Sequence, residues 1–315
     1  MALVLVWSCE RMTLYDMEKE IELVLSLNLK LDLDIDLDVK VDVAVETEIK
    51  TPEYMKVCFF SPQDNNLRST EYVGPSGGLI STPPGTYRML IYTFGTEYTQ
   101  VRGEGDINTI EAFTSDITQV KEATLRAFTR AGDDELQGPI IYAPDHLLVA
   151  YEDVTIPELA GESRTVTIQA SASTICETYS FEVHSVIGAE YIESAEAFVT
   201  NQARSSFFGR GELNREPATI CFPIGVDREK GCLYTTFNTF GKLPGLSRSY
   251  LHILVRDTGG NEYRFSTDIT QQFTDPEHHI TIEEEVDIPE PESNAGGIAP
   301  SVTPWTEENH DVPIG

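Results

Sequence analysis

Between Ile21 and Ile49 the chain alternates. Every odd position is apolar or threonine, and the even positions are polar apart from Val24 and Ala44. A period of two marks a β-strand with one dry face and one wet face. The run predicts an all-β chain that begins with a long N-terminal strand. Strands are usually about five or six residues long. Fully extended, this one would reach about 90 Å at ~3.3 Å per residue. It must therefore bend, change sheets or project beyond one domain.

Further strands are predicted over Tyr54–Phe60, Thr70–Val73, Tyr87–Phe94, Thr165–Ala170, Tyr179–Val186, Ala218–Ile224 and Leu233–Phe237, with a last one over His279–Val286. Tyr87–Phe94 carries bulk on both faces and reads as a central strand. Thr258-Gly259-Gly260-Asn261, between Leu251–Val255 and Glu262–Thr267, is a hairpin signal. Val120–Phe128 fits a helix or a strand. Short strands separated by Gly- and Pro-rich turns predict β-sandwiches, and the length suits two of them. The expected division is a leader-like segment 1–9, an N-terminal sandwich 10–152, a C-terminal sandwich 153–289, and a linker and tail 290–315. Pro289-Glu290-Pro291-Glu292 stiffens that linker and Asn294-Ala295-Gly296-Gly297 loosens it.

Composition narrows the function classes. The 315 residues carry a net charge of −30, with a pI near 4.4. Nucleic-acid backbones need a basic face, so that class of partner is excluded. The charge favours solubility and self-repulsion at a surface. The ladder Asp32, Asp34, Asp36, Asp38 is the best metal candidate. One straight strand cannot converge its carboxylates to the six to eight oxygens, at about 2.3–2.6 Å, that calcium takes. His278 and His279 are adjacent, so on a strand they point to opposite faces. No H-E-x-x-H, G-x-S-x-G, P-loop or dinucleotide motif is present. Neither an enzyme, a cofactor nor a small-molecule substrate is predicted.

The five cysteines match no zinc spacing. Cys58, inside an apolar run, reads as a buried small hydrophobe. Cys221 and Cys232 could pair if their strands are neighbours. A second reading, a surface module for carbohydrate or a host ligand, would need exposed aromatics drawn from Tyr92, Tyr98, Phe207, Phe208, Tyr234 and Trp305.

The apolar stretch Ala2–Trp7, followed by Ser8 and Cys9, is similar to the end of a bacterial lipoprotein signal, in which the cysteine carries lipid. Farther on come Leu14-Tyr15-Asp16, the Asp-alternating strand, Pro52-Glu53-Tyr54-Met55-Lys56-Val57, Gly77-Gly78 and Pro83-Pro84-Gly85-Thr86-Tyr87-Arg88. The second half adds Phe237-Asn238-Thr239-Phe240-Gly241, the Thr258 hairpin, Asp268-Ile269-Thr270-Gln271-Gln272 and the His279–Ile288 strand. In this order the motifs resemble the fimbrillin-related lipoproteins of anaerobic gut and oral bacteria, in a branch near the fimbrial anchor and tip subunits. The resemblance implies two tandem transthyretin-like sandwiches and lipidation at Cys9. It also implies attachment at the outer membrane and partnership with fimbrial subunits. Subunits of this kind assemble by lending a strand to a neighbour's groove. The segments suited to that are Ile21–Ile49 and the tail, with Trp305, Val312 and Ile314.

Overall fold

The computed structural model describes residues 21–32, 49–118, 138–158, 166–243, 245, 248–274, 278–283 and 285–291. Among them there are strands and two short 3-10 turns, and no α-helix. The fold is all-β and sandwich-like, as the alternation predicts.

The first ten strands are β1 (Ile21–Leu29), β2 (Met55–Phe60), β3 (Leu67–Val73), β4 (Gly77–Thr82), β5 (Gly85–Thr93), β6 (Thr99–Arg102), β7 (Glu111–Thr114), β8 (Ile140–Tyr142), β9 (Leu148–Ile156) and β10 (Val166–Thr174). Seven form one sheet in the order β3-β2-β5-β9-β10-β1-β4. Alternation in β1 sends Leu23, Leu25 and Leu27 to one side, into a core with Val57, Phe59 and Met89. The outer strands β3 and β4 approach each other. A tight turn at Gly74–Gly77 links them, and Ser69 Oγ lies 3.3 Å from Thr82 Oγ1. The sheet thus curls around its core.

The alternating run does not continue as one straight strand. The amide of Ile49 donates to the carbonyl of Leu31 at 2.7 Å. Extended chain would hold those residues about 60 Å apart at ~3.3 Å each. Leu31 and Ile49 are therefore neighbours, not distant points of one extended strand. Residues 33–48, with Asp34, Asp36 and Asp38, lie outside the described residues, as does Val120–Phe128.

The later strands are β11 (Glu177–Val183), β12 (Val186–Ile187), β13 (Ile192–Ala203), β14 (Ser205–Phe207), β15 (Glu212–Leu213), β16 (Pro217–Pro223), β17 (Gly225–Asp227), β18 (Cys232–Thr239), β19 (Tyr250–Asp257), β20 (Glu262–Asp268), β21 (His279–Ile282) and β22 (Val286–Asp287). The sheets β20-β19-β13-β16-β8 and β17-β18-β11-β21 share a second core. There the rings of Phe222 and Phe237 stack 4.3 Å apart. The predicted hairpin is β19–β20. The predicted last strand is broken: β21 pairs with β11 and β22 with β12.

Central β5 lies between β2 and β9 and serves two cores, as its two bulky faces predict. Met89 and Ile91 enter the first, while Leu90 and Tyr92 enter a third core with Ile107, Ala112, Ala203 and Phe208. The small sheet β15-β14-β7-β6 contributes to that third core. Position 152/153 falls within β9. β10 follows it yet pairs with β1, β8 precedes it yet pairs with β16, and β14 follows it yet pairs with β7.

Cys58, Cys176, Cys221 and Cys232 are buried, and none of the four is in a disulfide. Cys221 on β16 and Cys232 on β18 belong to different sheets, so the pairing that neighbouring strands would have allowed does not form.

Candidate functional site

Lys56 is the one charged residue in the apolar strand Met55–Phe60. Met55 and Val57 point into the first core, so alternation turns Lys56 to the opposite face. The register sets it between Tyr72 on β3 and Tyr92 on β5. Its Nζ lies 2.6 Å from Glu104 Oε1 and 5.8 Å from the centre of the Tyr92 ring. The Tyr92 hydroxyl donates to the same Glu104 oxygen.

The energetics of this trio are set by partial burial. Burial pushes Glu104 up, but the hydrogen bonds from Lys56 and Tyr92 outweigh it and hold the carboxyl below its ordinary value. Burial pulls Lys56 down, but Glu104 outweighs it and the ammonium is held above its ordinary value. The Tyr92 phenol is driven up, first by burial and then by Cys58 and Glu104. The pair is therefore ionised at neutral pH beside an un-ionised phenol. At the rim, Tyr72 and Phe94 are exposed, with ring centres 5.4 Å apart at 66°. The trio, these two rings and Gln100 border a cavity of 380 Å³.

A second polar cluster joins β11 to β21. Ser180 Oγ lies 2.6 Å from His279 Nδ1, and His279 Nε2 lies 3.3 Å from Glu182 Oε1. His184 Nε2 approaches the same oxygen at 2.9 Å. Hydroxyl, imidazole and carboxylate are linked in the order a serine hydrolase uses. Ser180 is only 3% exposed, however, and it meets Nδ1, whereas a triad serine meets Nε2. The cluster fixes the register of two parallel strands. His278 turns the other way and stacks on Tyr179 at 4.6 Å.

The aromatics proposed from sequence do not gather into one platform. Tyr92 and Phe208 are buried against each other, rings 5.3 Å apart. Tyr98 is exposed and stacks on Tyr142. Phe207 stacks on Arg210. Tyr234 lies against Gly225. Cys9, Trp305, Val312 and Ile314 lie outside the described residues. Sequence reasoning missed Tyr72 and Phe94. Its available signal was the lysine set among the apolar residues of β2. Among the described residues no cluster of three or more His, Cys, Asp or Glu could hold a metal ion, and no helix is long and apolar enough to cross a membrane.

A 188-residue stretch is 25% identical to a Bacteroides ovatus protein described as a candidate fimbrium anchoring subunit, Fim4B, and spans 59% of this chain and 52% of that one. The chain thus spans about half the length of this curated relative. The crystal structure of a candidate adhesin from Bacteroides ovatus shares the fold, with a TM-score of 0.57 and 17% identity over 92% of this chain and 100% of that one. The fimbrial anchor protein Mfa2 of Porphyromonas gingivalis is similar at a TM-score of 0.45 and 14% identity, over 79% and 83% of the two chains. The sequence match to the candidate fimbrium anchoring subunit bears out the likeness expected from the order of the motifs. A domain of unknown function, DUF5119, matches residues 29–223, well over half of the sequence, and the chain belongs to that family.

Proposed function

We propose that this protein is a fimbrial accessory subunit at the cell surface, an anchor or a minor tip component, that works by attachment rather than by catalysis. The observation that carries the reading is the similarity to the candidate fimbrium anchoring subunit of Bacteroides ovatus. The motif order along the chain points the same way. In this reading Cys9 carries the lipid that holds the chain to the outer membrane. A buried methylene contributes about 0.8 kcal/mol, so a single acyl chain anchors only marginally and stable retention takes more than one. The sandwich units, laced by the strands exchanged across residue 152, pass the attachment on to fimbrial partners. The tail with Trp305, Val312 and Ile314 is the segment offered for strand exchange, in which backbone hydrogen bonds give affinity and side-chain pockets fix register.

The test is metabolic labelling with a fatty-acid analogue, followed by shearing of fimbriae from the cells. Wild type should take the label and stay with the membrane, with fimbrial subunits recovered alongside it. Cys9→Ala should lose the label and the retention, and deletion of residues 293–315 should lose the subunits. Equal labelling in wild type and Cys9→Ala would refute the anchor. Unchanged recovery after the deletion would refute the role of the tail.

A further inference from the structure

We infer that the cavity between Tyr72, Phe94 and the Lys56–Glu104 pair is a binding site for a neutral saccharide, taking one or two sugar rings of a glycan. The inference is independent of the fimbrial reading. It starts from a polar group that is positioned but only half used. Lys56 and Tyr92 both bond to Glu104 Oε1, which leaves Oε2 without a partner among the described residues. The carboxylate is ionised and 37% exposed, so Oε2 can accept a hydrogen bond from the cavity. A charged acceptor of this kind binds a hydroxyl about twice as strongly as a neutral one. Lys56 spends one donor on Glu104, and its ammonium has three. One edge of the cavity therefore offers an acceptor and a donor side by side, the pattern that adjacent sugar hydroxyls require.

Beside this pair the lining is aromatic, since Tyr72 is the cross-strand partner of Lys56. Tyr72 is 56% exposed and Phe94 43%, and the two rings meet edge to face. Aromatic rings give large contact area at low entropic cost. The C–H face of a pyranose is the apolar half of a molecule whose rim is hydroxyls, so it suits the two rings while its hydroxyls meet Lys56 and Glu104. The volume of 380 Å³ sits at the small end of the roughly 300–1,000 Å³ typical of ligand sites.

Charge narrows the ligand class. Lys56 and Glu104 cancel, so the cavity offers no net cation to an acid. The whole chain carries −30 and repels polyanions. Uronate and sulfated glycans are therefore disfavoured, and neutral hexose or pentose chains fit.

The experiment is titration calorimetry of the purified chain with neutral oligosaccharides, namely gluco-, manno-, galacto- and xylo-oligomers, with oligogalacturonate alongside. At least one neutral oligomer should bind saturably, and oligogalacturonate at least tenfold more weakly. Tyr72→Ala and Phe94→Ala should each weaken binding about tenfold or more, as should Glu104→Gln. Because both rings are surface residues, their variants should melt with the wild type, which separates lost contact from lost fold. A blank neutral panel, preference for the acidic oligomer, or equal binding in folded Tyr72→Ala and Phe94→Ala would each overturn the assignment.

Discussion

Arg102 and Glu111 face each other in register across β6 and β7, with Arg102 Nε 2.6 Å from Glu111 Oε2. The carboxylate is buried while the guanidinium is largely exposed. Ser205 on β14 donates to the other oxygen, and Asn214 Nδ2 lies 3.5 Å from it. One acid thus ties β6, β7 and β14 together. Burial pushes Glu111 up, but Arg102 and Ser205 outweigh it, and the carboxyl lies below its ordinary value of 4.5. A lowered folded-state value means stabilisation that is complete above the ordinary value and lost as pH falls through the folded one. Glu111→Gln should cost about 1.5–3 kcal/mol in urea unfolding at pH 7. The gap from wild type should narrow below pH 4.5. A gap of constant size from pH 7 downward would contradict this account.

Asp257 closes the β19–β20 hairpin from a fully buried position. It accepts from the amides of Gly259 and Asn261, from Asn261 Nδ2 and from the Tyr263 hydroxyl, at 2.8–3.0 Å. Asp257→Ala leaves these donors without their acceptor, at a cost of about 2 kcal/mol or more. The melting temperature should fall by about 3 °C or more. Tyr263→Phe removes one of the four bonds and should cost less than half as much.

Gly77 and Gly78 adjoin the turn between β3 and β4, yet only one of them is irreplaceable. Gly77 has φ +99°, and a Cβ there would meet the carbonyl oxygen of Leu25 at 2.0 Å. At Gly78 the nearest atom would be a Val73 methyl carbon at 3.5 Å, an ordinary contact. Gly77→Ala should destabilise strongly and loosen β4 from β1, read as faster amide exchange in Leu23–Ser26. Gly78→Ala should be close to neutral. Equal effects of the two would refute the steric argument.

Four thiols should be silent in the native protein. Burial pushes the Cys176 thiol up to about 12, and Cys58 and Cys232 are also raised by it. A Cys9→Ala chain should not react with a thiol reagent at pH 8. It should release four equivalents once unfolded, with or without prior reduction. Fewer than four equivalents without reduction would reveal a disulfide.

Much of this fold is legible where one face of a strand is wet and the other dry. Leu23, Leu25 and Leu27 announce β1, and Thr258–Asn261 announces the hairpin, because each signal is local. β13 escapes such reading although it is a 12-residue strand. From Ala197 to Ala203 it is buried on both faces, and its register slips near Ser194 and again between Val199 and Gln202. Alternation therefore vanishes there. The candidate site is partly legible. Lys56 stands out within its strand, but only the pairing of β2 with β3 and β5 sets Tyr72 and Tyr92 on either side of it. The exposed aromatics could not be told from the buried ones, since Tyr92 and Tyr72 differ in their neighbours rather than in their local pattern.

The exchange of strands across residue 152 has a mechanical meaning. With β8 sewn into the later sandwich and β10 and β14 into the earlier sheets, the two parts are laced rather than strung like beads. Calorimetry should show one cooperative transition, and a polypeptide stopped at residue 152 should not fold. A pull on either end would then be met by the whole body at once, which gives little before it fails.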